Sequence, residues 1–174
     1  MLREAYTTRD AWEVVRDLGQ TVLRKRVLNG DENQTEVLLE KWVRGIKPVE
    51  FLKLFETIDE TQTQWNEHCK RCDLILREED EKDQVDIFAT YIKSPGFFLA
   101  GRVFVDARYL LRDPKKDQYI AIFSSNGNED IATEYSRTHD LEGSALAKTV
   151  ISGHWWMPII EGDEVVGTKV VYLN

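Results

Sequence analysis

A chain of 174 residues, 42% hydrophobic and 31% charged, fits one globular domain that buries roughly two-thirds of its unfolded surface. Its net charge of −8 argues against a nucleic-acid partner, which needs a concentrated basic face, and against permanent residence on anionic membrane, although a local basic patch could still touch one. No apolar run approaches the ~20 residues of a membrane span, and the N-terminus is charged where a signal peptide would be apolar. The two cysteines, three residues apart, make no disulfide framework, so a cytoplasmic location is expected.

In chain order, Trp12, Val15 and Leu18 stand at helical spacing, and a helix is predicted over 8–18, ended by Gly19. A strand at 20–28 follows, then a turn at Asn29-Gly30 and a returning strand at 34–46. Pro48 suits the first turn of a helix that sets Phe51, Leu52 and Phe55 on one face. Further on, strands are predicted at 72–78, 84–92, 102–111, 118–125, 145–152, 154–160 and 165–173. The joints between them are turn-like: "EEDEKD", "KSPG", "RDPKKD", "SNGNED", "LEG" and "EGDE". Such short spacing favours an antiparallel sheet, because parallel neighbours need long crossovers. The fold class is α+β, dominated by a long meander.

The stretch "QWNEHCKRCDLI" holds His68, Cys69 and Cys72, the spacing of a redox pair or of half a zinc site. A redox pair would open a helix, whereas "CDLILRE" reads as a strand. In a regular strand, residues i and i+3 face opposite ways, so the two thiols are expected to be separated. The serine of "EGSALAK" lacks a nucleophile elbow, "SSNGNED" lacks the lysine of a phosphate loop, and "REEDEKDQVD" lacks calcium-loop spacing. No convincing active site emerges.

The strand faces say more. A period of two places Phe104, Asp106, Arg108 and Leu110 on one face of 102–111, with Val103, Val105, Ala107 and Tyr109 on the other. Strand 118–125 is largely apolar on both faces, so both sides of the sheet are expected to be covered. Asp106 and Arg108 would be costly there without partners.

Taken together, the order of landmarks resembles the START family, the steroidogenic-acute-regulatory-protein-related lipid transfer domains. The resemblance rests on Trp12, the strand pair, "PVEFLKLF", the Trp65-Asn66 corner of "QWNEHCKRCDLI", and "GRVFVDARY" with Phe104-Val105 and Arg108. It continues through "YIAIFSS", "EYSRTH", "SGHWWMPI" and "GTKVVYLN" over nearly all of the chain. It implies a helix-grip fold, in which a curved antiparallel sheet grips a C-terminal helix over an interior tunnel. It also implies one bound sterol, phospholipid, ceramide or fatty acyl lipid, transient membrane contact, no chemistry and no cofactor. The implied tunnel is lined by faces carrying Phe104, Arg108, Ala121, Phe123 and Tyr172, with Phe88 and one of Trp155 and Trp156.

Arg108 matches the arginine that pairs with an acid in sterol-binding members. The position expected for that acid falls near Ala89, which leaves Asp106, on the Arg108 face, as the substitute. Val103 stands where the family often has an aspartate. The gripping helix is missing after "KVVYLN", so a single domain over 1–174, truncated at its C-terminus, is expected. The competing readings are a regulatory lipid-sensing module of a larger enzyme, or a helix-grip enzyme such as a cyclase or a thioesterase-associated domain. An enzyme would have to use Asp106, His139 or His154.

Overall fold

The computed structural model describes residues 2–28, 30–80, 83–94, 96 and 99–174. Asn29 of the expected Asn29-Gly30 turn, Glu81 and Lys82 of "EEDEKD" and Pro95 of "KSPG" lie outside the described residues. Among the described residues the fold is a mostly antiparallel sheet of ten strands with four α-helices. In order these are α1 (Leu2–Thr7), β1 (Glu13–Asp17), β2 (Thr21–Leu28), β3 (Asp31–Arg44), α2 (Pro48–Glu56) and α3 (Ile58–Trp65). Next come β4 (Cys69–Glu79), β5 (Asp83–Ile92), β6 (Arg102–Asp113), β7 (Gln118–Ser124), α4 (Glu129–Thr138), β8 (Ala145–Ala147), β9 (Ser152–Glu161) and β10 (Glu164–Leu173).

The chain packs as two compact units. The first comprises Met1–Leu52, Arg112–Ala121 and Ser152–Asn174; the second comprises Lys53–Leu111 and Ile122–Ile151.

In the first unit the strands run β1-β2-β3-β10-β9, each antiparallel to its neighbour. The register sets Lys169 between Trp42 of β3 and Met157 of β9, and Tyr172 between Leu39 and His154. Gly167 allows β10 to close on β3, since a Cβ there would overlap the Val43 carbonyl oxygen. The helix predicted over 8–18 is not formed. A short 3-10 turn at Arg9–Ala11 leads directly into β1. Of the three residues at helical spacing only Trp12 is buried, beneath the Arg26 guanidinium 4.4 Å from its ring, while Val15 and Leu18 are 49% and 62% exposed. The spacing marked no buried face, and the adjacent β-branched Val14 and Val15 favour an extended chain.

In the second unit β4, β5 and β6 pair antiparallel, while β8 pairs with β6 in parallel. That pairing departs from the expected meander, and the predicted strand 145–152 is broken: Ala145–Ala147 are extended, and Ser152 already opens β9. One face of the β5–β6 pair, carrying Ile87, Ala89, Tyr91, Val103, Val105 and Ala107, is covered by Tyr135, Ile131 and Ala132 of α4 and by Leu141. The sequence around α4 was expected to be a turn after Ser125. It is helical because Ile131, Ala132 and Tyr135 share one side, and Glu129 and Asp130 complement the positive end of the helix. Helix α3, also unforeseen, carries Asp59 and Gln62 to the opposite face of the sheet, where they meet Arg77 and Thr90.

Candidate functional site

The opposite face of the β5–β6 pair carries Gln84, Asp86, Phe88 and Thr90 across from Leu110, Arg108, Asp106 and Phe104. Phe88 and Phe123 meet nearly perpendicular at 6.0 Å between ring centroids, and Phe55 of α2 approaches Phe123 at 6.2 Å. Four of the expected site residues in this unit, Phe88, Phe104, Asp106 and Arg108, thus share a face, and ring contact joins Phe123 to them.

Beside these rings lies a chain of charges. Arg108, fully buried, donates to Asp86 Oδ2. Arg77 Nε donates to Asp86 Oδ1 at 2.9 Å, and its Nη2 donates to Asp59 Oδ1 at 2.7 Å. Gln84 Nε2 donates to both Asp86 oxygens, at 3.2 and 3.0 Å, and to the Glu56 carbonyl at 3.1 Å. Two arginines and two aspartates alternate with no net charge. A carboxylate this deeply buried is tolerated because guanidinium and amide donors replace its water.

The expected partner of Arg108 is therefore corrected. Ala89 pairs across the strands with Val105 and lies on the α4-covered face, whereas Asp86 is the residue directly opposite Arg108. Asp106 does not substitute. One of its oxygens accepts from the Ser125 hydroxyl and the other from Thr149 Oγ1 at 2.8 Å. Burial raises the Asp106 pKa above the usual carboxylate range, and the two hydroxyl donors oppose that shift. Asp59, Arg77, Gln84 and Asp86 were missed in the sequence. The available signal was Gln84-x-Asp86-x-Phe88, two polar groups at strand period beside a core aromatic.

In the first unit Trp155 and Trp156 point to opposite sides of β9. Trp156, 1% exposed, shares its face with His154 and Tyr172; His154 lies 5.8 Å from the Trp156 ring and 4.8 Å from Tyr172. Trp155 lies on the other face, edge-on to Tyr6 of α1 at 5.6 Å. Of the two tryptophans, Trp156 is thus the one grouped with Tyr172. Ala121, also of this unit, is fully buried on β7.

Loss of water around His154 pushes its pKa down to about 4. The unfolded chain takes up this proton near 6.5, so between the two values it binds more protons than the folded chain. Stability contributed by neutral His154 is complete above about 6.5 and falls as the pH drops through about 4, by at most ~3 kcal/mol. Urea melts at about pH 7 and about pH 5 should show this loss in the wild type and its absence in His154→Phe. Equal losses in both proteins would assign the acid sensitivity elsewhere.

The thiols also depart from expectation. A bulge between Cys69 and Arg71 pairs Cys69 with Ile92 and Cys72 with Thr90, two residues apart on β5, so both cysteines face the same way. They are free, and burial raises the Cys72 thiol to about 12, which keeps it protonated and unreactive. Among the described residues no group of three or more His, Cys, Asp or Glu side chains is placed to hold a metal ion. His139 stacks on Tyr135 at 4.1 Å. No helix among the described residues is long and apolar enough to cross a membrane.

This architecture is the α+β fold of START helix-grip proteins. Human STARD10 matches it with a TM-score of 0.69 over 98% of this chain and 64% of its own, at 10% sequence identity. The lipid transfer and protein localization domain of human StarD13 (DLC2) matches with a TM-score of 0.68 over 99% of this chain and 80% of its own, at 15% identity. A STAR-related lipid transfer protein from Xanthomonas axonopodis matches with a TM-score of 0.62, covering 94% of this chain and 80% of its own, at 12% identity. This chain therefore spans 64% of the STARD10 structure's length. No family model matches the sequence, and no curated protein matches it.

Proposed function

We propose that the chain is a START-like, cytoplasmic lipid-binding module that shelters one hydrophobic lipid and carries or senses it between membranes without chemistry. The observation that carries this reading is the fold likeness to proteins named for lipid transfer. Within the second unit, Phe88, Phe104 and Phe123 supply apolar lining. Shelter of this kind is worth about 0.8 kcal/mol for each CH₂ removed from water, which is what draws a lipid out of a bilayer.

The balanced charges around Asp86 favour an uncharged lipid. Arg108 spends its charge on Asp86, so an anionic head group would have to compete with that carboxylate. A neutral polar group, such as a sterol or ceramide hydroxyl, needs only a hydrogen bond from the cluster. The enzyme reading has less support, since both Asp106 oxygens are engaged by hydroxyls and His154 is packed against two rings.

Mass spectrometry of lipid extracted from the purified protein, with uptake of labelled sterol, ceramide, phosphatidylcholine and fatty acid from vesicles, tests the proposal. One lipid per chain, drawn from a neutral class, is the expected result. Absence of both co-purified lipid and uptake would overturn it.

A further inference from the structure

The first unit carries an open groove of about 640 Å³ that uses none of the residues assigned to lipid shelter. Trp42, Met157, Pro158, Ile159 and Ile160 make its apolar walls, and Lys115, Lys116 and Lys169 supply its charge. Among the described residues no carboxylate lines it, although the chain as a whole carries −8.

Three acids near it are held in ion pairs. Asp113 is paired with Lys116 at 3.1 Å, and Glu161 with Arg44 at 2.6 Å. Glu40 is shared by three cations, Lys169 at 2.7 Å, Arg24 at 3.2 Å and Arg9 at 3.4 Å, which leaves a local surplus of positive charge. The Lys169 ammonium is further fixed by the Tyr6 hydroxyl at 2.8 Å and lies 4.4 Å from the Trp42 ring. Lys116 and Ile160 project outward, the latter 62% exposed.

Cations beside a tryptophan and a protruding aliphatic side chain form the composition that suits the interface of an anionic bilayer. An acidic protein segment would satisfy the lysines but would leave Ile160 without an apolar environment. We infer that this groove docks the protein on membranes containing anionic phospholipid. Lys115 and Lys116 meet the head groups, and Trp42 and Ile160 enter the head-group layer. The inference does not depend on the lipid-carrier reading, because docking is scored by vesicle binding and sheltering by lipid uptake.

Flotation of the full chain with phosphatidylcholine vesicles, with and without phosphatidylserine, provides the test. The wild type should float with the phosphatidylserine vesicles alone and be released by high salt. Lys115→Glu with Lys116→Glu should weaken binding by about tenfold or more, since each lysine near an anionic surface contributes several-fold. Ile160→Glu should weaken it as well, while Lys53→Glu on α2 should leave it unchanged. Equal binding to neutral vesicles, no binding to either kind, unchanged binding of the double variant, or an equal loss in Lys53→Glu would overturn the inference. So would capture by polyglutamate without vesicle binding, which would assign the groove to an acidic protein segment.

Discussion

Replacing Asp86 by alanine should cost about 3–5 kcal/mol of folding free energy, close to the whole stability of many domains of this size. The reason lies in which charges remain. Arg108 is fully buried and Arg77 is partly so, and both direct donors at the lost carboxylate. Gln84 loses its side-chain acceptor at the same time and keeps only the Glu56 carbonyl among the bonds described above. Coulomb attraction across the pair only offsets the cost of dehydrating both ions, so removing one partner exposes that cost in full. Removing both should not. Asp86→Leu combined with Arg108→Met should recover most of the loss, which separates charge compensation from simple packing. Urea denaturation of the wild type and the two variants measures the effect; a loss below about 1 kcal/mol in Asp86→Ala would show that the cluster contributes little.

The second large effect concerns the adjacent tryptophans. Trp156→Ala should cost about 3–5 kcal/mol, the range for truncating a fully buried aromatic. Trp155→Ala should cost less. Trp155 is only half-buried, and its partners are the edge of Tyr6 and the Arg3 guanidinium 5.6 Å from its ring. The contrast arises because successive residues of β9 face opposite ways, so one position decides between interior and surface. Similar losses for the two variants, measured by thermal and urea unfolding, would mean that the two faces of β9 are equally buried.

Much of the strand pattern was legible beforehand. The hairpin of β2 and β3, the long β5, β6 and β7, and the final pair β9 and β10 announce themselves through β-branched and aromatic runs separated by turns. What failed was local in one place and non-local in another. Trp12, Val15 and Leu18 mimic a helical stripe, yet three residues three apart do not prove burial. The α4 segment was hidden by the Asn-Gly-Asn that precedes it and the Glu-Asp that opens it, although Ile131, Ala132 and Tyr135 carried a helical spacing of their own.

The site was readable in its residue types and not in its pairing. Arg108 and its apolar neighbours follow from a period of two. Its partner depends on how β5 slides against β6, and no local pattern records that register. The shared face of Cys69 and Cys72 was missed for the same reason, since a single bulge reverses every parity argument beyond it.

The pairing of β10 with β3 has a consequence for how the chain is made. Leu38 to Arg44 find their partners in residues 167–173, which are synthesised long after them. Until then β3 has β2 on one side and a bare row of amide and carbonyl groups on the other. Contacts of such long sequence separation close late and slow the search for the native state. During synthesis that bare edge is a template for adhesion to other nascent chains. The first unit therefore matures only once β10 has been made, and expression yield should be governed by protection of β3 in that interval.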